Sequence, residues 1–218
     1  MRAVLLSLAL LAAKPVFSET LLDAELTVRV VGISVGRITL VQNGTERAYI
    51  ARGRLEPTAI VATLKDVFTV MRAEGRFRQG QMYPTSYTED INTGERVGHS
   101  EARFGAGDKR IDPLSAMIDL VRSRPASAGC GMTRKMWDGT RGHVLILKRS
   151  ASGKGIARCF WRLERTSGYT AEQLAKMSGY DINMTYRVEA GHWVFSYGEV
   201  DTIYGSATLV PTRLRQAQ

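Results

Sequence analysis

Several stretches of this chain carry residue types that can do chemistry. Gly32-Ile33-Ser34-Val35-Gly36 matches the G-x-S-x-G pattern, in which a serine is raised on a strained turn for nucleophilic attack. That pattern needs a strand running into a helix, whose N-terminus assists the oxyanion site. Here VRVV precedes and RITLV follows, strand after strand, so the motif reads as a glycine-punctuated turn or bulge. A hydrolase acting through Ser34 stays as a remote alternative. His99, His143 and His192 could serve as bases or ligands, but they stand in separate segments with no ligand-like spacing to one another or to a cysteine. His143 and His192 each open a strand pattern. No metal site and no cofactor is expected.

Weaker signals have plainer explanations. Ser150 to Gly155, SASGKG, resembles a phosphate loop but lacks the full pattern and sits between two strands, where a hairpin loop suffices. Glu89-Asp90 falls in a polar loop. Asn43-Gly44-Thr45 and Asn183-Met184-Thr185 are glycosylation sequons, and the first doubles as a hairpin dipeptide.

Cys130 and Cys159 are the only two cysteines. Whether they are a reactive thiol, part of a metal site or a staple depends on the compartment. MRAVLLSLALLAAKPVFSET has an early arginine, an apolar run from Ala3 to Ala13 and small or apolar residues before Glu19, the pattern of a secretory signal peptide. Residues 1–18 are therefore expected to be removed, with Val16 and Ser18 at the third and first positions before the cut. The apolar run is about half the ~20 residues of a membrane-spanning helix, and no later segment comes close. No cysteine near the cut could carry a lipid anchor, so the expected location is the periplasm. In an oxidising compartment an even cysteine pair is most simply a disulfide. A catalytic thiol would need a free sulfur and a nearby base.

Residues 19–218 have the length of one domain with a sizeable core. Removing Arg2 and Lys14 from the 30 basic residues leaves 28 against 21 acidic ones. The arginines are scattered among apolar residues, as in TVRVV and FWRLER, which is what solvated strand faces produce. Nucleic-acid binding needs a clustered basic stripe and is not expected. An anionic membrane surface or an acidic partner fits the balance better.

The elements that must position these residues are mostly strands. Leu22, Ala24, Leu26, Val28 and Val30 alternate with Asp23, Glu25, Thr27 and Arg29, the period of a sheet with one wet face. RITLV and ERAYIARGRL follow, joined at Asn43-Gly44, and TAIVATLKD suggests a turn or two of helix. Pro84 in QMYPTSYTEDI argues for an edge or a break. Two helices stand out. Asp112 and Pro113 open an amphipathic one over about 113–124, with Leu114, Met117, Ile118 and Val121 in one stripe. Thr170 and Gln173 form a capping box for a short one over about 171–178. About ten strands and two helices make a mostly β domain, a curled antiparallel sheet or incomplete barrel. In that meander MTRKMW turns at Asp138-Gly139 into RGHVLILK, and IARCFWRLER follows. Cys130 and Cys159 thus come to the same end of the sheet, where a bridge closes a loop of about 30 residues.

Taken in order, VGISVGRITL, MYPTSY, IDPLSAMIDLVR, CGMTRKMWDGTR and IYGSATLVP, behind the signal sequence, resemble the domain-of-unknown-function 3108 family of exported bacterial proteins. The resemblance covers nearly all of residues 19–218, although each motif is short. It implies a periplasmic protein with a curled sheet, a helix packed in or against the concavity, and no established reaction. Such an architecture is similar to periplasmic lipoprotein carriers, whose incomplete barrels hold acyl chains, a likeness of fold alone. Asp112 to Ser115 and Asp138 to Arg141 then look structural. The leading expectation is a non-enzymatic protein that binds a lipid, an acyl chain or an envelope component on its concave face, lined by Leu114, Met117, Ile118, Val121, Trp137 and Trp161. The alternative is a partner-binding or structural envelope-maintenance protein without a small ligand.

Overall fold

A computed structural model describes residues 19–63, 67–94, 97–131, 133–202 and 205–217. The expected leader, residues 1–18, lies outside them. In chain order the elements are β1 (Glu19–Val30), β2 (Ile33–Gly44), β3 (Ala48–Pro57), α1 (Ala59–Ala62), β4 (Phe68–Arg78), β5 (Gln81–Asn92), β6 (Val97–Arg103) and α2 (Pro113–Val121). There follow β7 (Arg124–Pro125), β8 (Arg134–Trp137), β9 (Gly142–Gly153), β10 (Ile156–Ser167), α3 (Ala171–Lys176), β11 (Gly179–Glu189), β12 (His192–Thr202) and β13 (Gly205–Gln216). Among the described residues the strands number thirteen rather than about ten. The two-residue β7 and the four-residue β8 are too short to carry a readable alternation.

All strands join one antiparallel sheet in the order β6-β5-β4-β3-β2-β1-β13-β12-β11-β10-β9-β8, with β7 paired to β12 off this path. The first strand therefore pairs with the last, from Leu22↔Gln216 to Val30↔Ala207. That leaves β6 and β8 as the two edges, and they meet at a seam. Ser100 Oγ and Thr140 Oγ1 are 2.9 Å apart across it. Gly139, at φ +101°, presses so close to β6 that a Cβ there would lie 2.0 Å from the Glu101 carbonyl oxygen. Further along, Ile111 forms a parallel bridge with Met136, its N–H donating to Lys135 O (2.8 Å) and its carbonyl accepting from Trp137 N (3.0 Å). Bridging the edges this way covers strand groups that would otherwise template aggregation. The result is a nearly closed barrel.

Inside it sits α2, touching β3, β4, β5, β8 and β12. The inner wall makes room with small residues: Ala51, Ala73 and Gly53 are buried there, and a Cβ on Gly53 would lie 2.6 Å from Leu114 Cδ1. Asp112 caps α2 as expected, accepting from Ser115 N at 2.8 Å, with Pro113 in the first turn. The helix stops at Val121, three residues before the expected end. Arg122 turns extended, which frees Arg124 to fold back and donate to the terminal carbonyls of Asp119 (2.8 Å) and Leu120 (3.2 Å). A cation at a helix C-terminus opposes the macrodipole and satisfies orphan acceptors. The chain then runs along β12 as β7, and Gln216 ties Ser123 through both backbone groups.

Two turns differ in detail from the sequence reading. Gly44 still belongs to β2, opposite Tyr49, and the turn falls on Thr45 to Arg47, where Thr45 Oγ1 accepts from Arg47 N and Ala48 N. Tight two-residue hairpins fall instead at Val31-Gly32, Gln79-Gly80, Lys154-Gly155 and Ala190-Gly191, each with positive φ at both positions. The capping box of Thr170 and Gln173 forms, but α3 ends at Lys176, not 178. Pro84 lies in β5 where the ladder to β6 has already ended, so its missing N–H costs no bond on that side.

Candidate functional site

Four of the six residues expected to line a concave site belong to the hydrophobic core: Leu114, Ile118, Val121 and Trp161 are buried. Met117 and Trp137 are half-buried and pack against that core, and the Arg110 guanidinium lies over the Trp137 ring at 5.4 Å. The cleft beside the helix, bordered by Ile111, Ala116, Leu120 and Trp161, encloses about 20 Å³. That is room for a single water. Leu114, at the head of the stripe expected to face a ligand, packs against Gly53 of the inner wall.

Other candidates are dispersed. Ser34 is the second residue of β2, after the Val31-Gly32 turn and Ile33, and strand rather than helix follows it; the hollow beside it is lined by Glu25, Thr27, Arg37 and Thr58 rather than by a histidine. His99 is exposed on β6, 2.7 Å from Asp90, and His192 is exposed at the start of β12. Glu89-Asp90 lies within β5, not in a loop, because β5 runs on to Asn92. Ser150 to Gly155 forms the β9–β10 hairpin. Cys130 and Cys159 are joined in a disulfide with Cα atoms 5.7 Å apart, pinning the loop before β8 to β10.

Inside the barrel the two acids read as a helix cap and a turn, Asp112 and Asp138, are joined by buried tyrosines into a cluster of titratable side chains. Asp112 is fully buried; one carboxylate oxygen caps α2, and the other, Oδ2, has no hydrogen-bond partner among the described residues. Burial pushes its carboxyl up to about 6, against the pull of the Ser115 hydrogen bonds. Tyr49 Oη lies 2.9 Å from Ser115 Oγ, and burial followed by the Asp112 charge raises its phenol. Tyr87 is raised by burial, then by the charges of Glu89, Asp112 and Asp138. Asp138 is itself buried and closes the β8–β9 turn, accepting from Thr140 N (2.7 Å) and Arg141 N (2.6 Å).

Past that turn the cluster continues as a stack. Tyr169 Oη is 2.5 Å from His143 Nε2, and the Arg141 and Arg165 guanidiniums lie 4.9 and 4.7 Å from the Tyr169 ring centre. Arg165 also donates to the carbonyls of Gln173 (3.2 Å) and Met177 (2.8 Å) and to Tyr180 Oη, holding the α3 segment onto the barrel end. Burial lowers the His143 pKa; Asp138 opposes this, and Arg165 and Arg141 reinforce it. His143 Nδ1 is buried without a hydrogen-bond partner among the described residues. These groups cap a helix, close a turn and seat α3. The signal that could have found them is strand register: His143 opposes Arg165 and Leu163 opposes Tyr180, pairings that no local alternation specifies.

No protein-family model matches the chain, and no curated protein matches it. The resemblance to the 3108 family thus rests on the short sequence motifs alone. Among solved structures, the chain is similar to a beta-barrel-like protein of domain of unknown function DUF1849 from Brucella abortus, at 12% identity and a TM-score of 0.42, covering 92% of this chain and 99% of that one. It is also similar to the hypothetical protein CT021 from Chlamydia trachomatis, at 9% identity and a TM-score of 0.35, covering 90% and 87%.

Proposed function

We propose that this protein is a non-enzymatic periplasmic module that works by binding an envelope partner through the outside of a filled barrel. One observation carries the proposal: α2 occupies the interior, with Leu114 and Ile118 fully buried, and the cleft beside it holds about 20 Å³. Small-molecule sites enclose roughly 300–1,000 Å³, so a lipid or acyl chain on the concave face would require α2 to leave. The disulfide supports an oxidising compartment. The buried titratable groups are engaged in capping and turn contacts, which supports a structural role for them over a catalytic one.

Titration with a dansyl-labelled fatty acid separates the two readings. A filled barrel gives no saturable, blue-shifted fluorescence at micromolar protein. Saturable binding with one site per chain would favour the carrier and overturn the proposal.

A further inference from the structure

We propose that a basic groove on the outer wall, between the β4–β5 hairpin and the loop after β6, docks the protein on the phosphates of anionic lipid headgroups. This deepens the outside-binding reading and rests on it. The groove encloses about 220 Å³ and is lined by Arg76, Arg78, Tyr83, Pro84, Phe104 and Asp108, among others. Arg76 and Arg78 stand two apart on β4 and are both exposed, on the same side of the sheet; Arg76 lies directly opposite Tyr83 in the register. The Arg78 guanidinium lies over the Tyr83 ring at 5.4 Å, held flat against a platform.

Among the described residues, neither the Arg76 nor the Arg78 side chain makes a hydrogen bond or an ion pair. The acid in the groove, Asp108, is already engaged: its two carboxylate oxygens accept from Arg110 Nε and Nη2 at 3.0 and 2.7 Å, and Arg110 N adds a third bond. Buried Pro84 and Phe104 supply an apolar floor. A planar guanidinium pair over such a floor matches a phosphate with its adjoining glycerol. The volume is too small for an acyl chain and suits a headgroup.

A membrane surface fits better than one free phosphate because the charge extends beyond the groove. Arg52 is exposed on β3 directly opposite Arg72 on β4. Arg72 is ion-paired with Glu74 at 2.7 Å, so of these two it is Arg52 that adds unpaired charge to the wall among the described residues. A row of guanidiniums along one outer wall is met by a plane carrying many phosphates.

The test is co-sedimentation of the protein, disulfide intact, with phosphatidylglycerol–phosphatidylcholine vesicles and with phosphatidylcholine alone. Binding is expected to the anionic vesicles only and to weaken with salt. A juxtamembrane arginine is worth about fivefold in affinity, so Arg76→Gln with Arg78→Gln should weaken binding roughly 30-fold. Arg149→Gln with Arg158→Gln removes the same charge from β9 and β10 and should change it less than about threefold. Far-ultraviolet circular dichroism confirms that each variant folds. Equal losses in both double variants, or no preference for anionic vesicles, would each overturn the proposal. Failure of the filled-barrel reading would show instead as fatty-acid binding that these surface variants leave untouched.

Discussion

Asp112 couples the stability of the barrel to pH. Its carboxyl is raised from 3.8 to about 6 in the folded chain because it is fully buried. Between those values the folded state holds a proton that the unfolded state has released, so this group's contribution is greatest below about pH 4 and is lost as pH rises to 6. A rise of that size corresponds to roughly 3 kcal/mol. Asp112→Asn keeps an acceptor for Ser115 N and removes the charge. Denaturant melts should find Asp112→Asn more stable than wild type by up to about 3 kcal/mol above pH 6, with the gap closing toward pH 4. A gap that widens as pH falls would contradict the assignment. Val31 offers a second test. It is 82% exposed and sits at φ 49°, beside Gly32 at 80°, in a hairpin turn that favours Asn-Gly. A β-branched residue is strained there. Val31→Asn should therefore raise stability by about 1 kcal/mol, seen as a melting point higher by roughly 2–4 °C. The helix cap was legible in Asp112-Pro113; the raised carboxyl was not, because its burial depends on strands distant in sequence.

The fit between α2 and its wall sets the stability of the interior. A methyl group added at Gly53 would come within 2.6 Å of Leu114 Cδ1 and 3.0 Å of Met71 Cε. Gly53→Ala is expected to cost about 1–3 kcal/mol by overpacking, read from urea melts; a neutral result would mean that α2 is loosely seated. The disulfide is the other clamp. It closes a loop across 29 positions, and Cys130→Ser with Cys159→Ser should lose roughly 3–4 kcal/mol. A thiol assay on unfolded, unreduced protein should find no free sulfhydryl. Both cysteines, the Asp138-Gly139 turn and the α2 stripe could be read from local pattern because each is set by residues close in sequence. The end of α2 could not. Arg124 looked like one more helical residue, and only the fold shows it turning back onto the Asp119 and Leu120 carbonyls.

For the molecule as a whole, the alternation in β1 and the hairpin signals were enough to give an antiparallel curled sheet. Closure was not legible, since the pairing of Leu22 with Gln216 joins the two ends of the chain and leaves no local trace. Nor was the filled interior. An amphipathic stripe reads the same whether it faces a ligand or a wall, and what decides it here is the small inner face at Ala51, Gly53 and Ala73. The central claim is that α2 takes the place a ligand would need. Native mass spectrometry of the protein purified from its own host tests it most directly. A filled interior predicts the mass of the disulfide-bonded chain with no stoichiometric lipid attached; a species carrying one lipid per chain that survives gentle activation would contradict it.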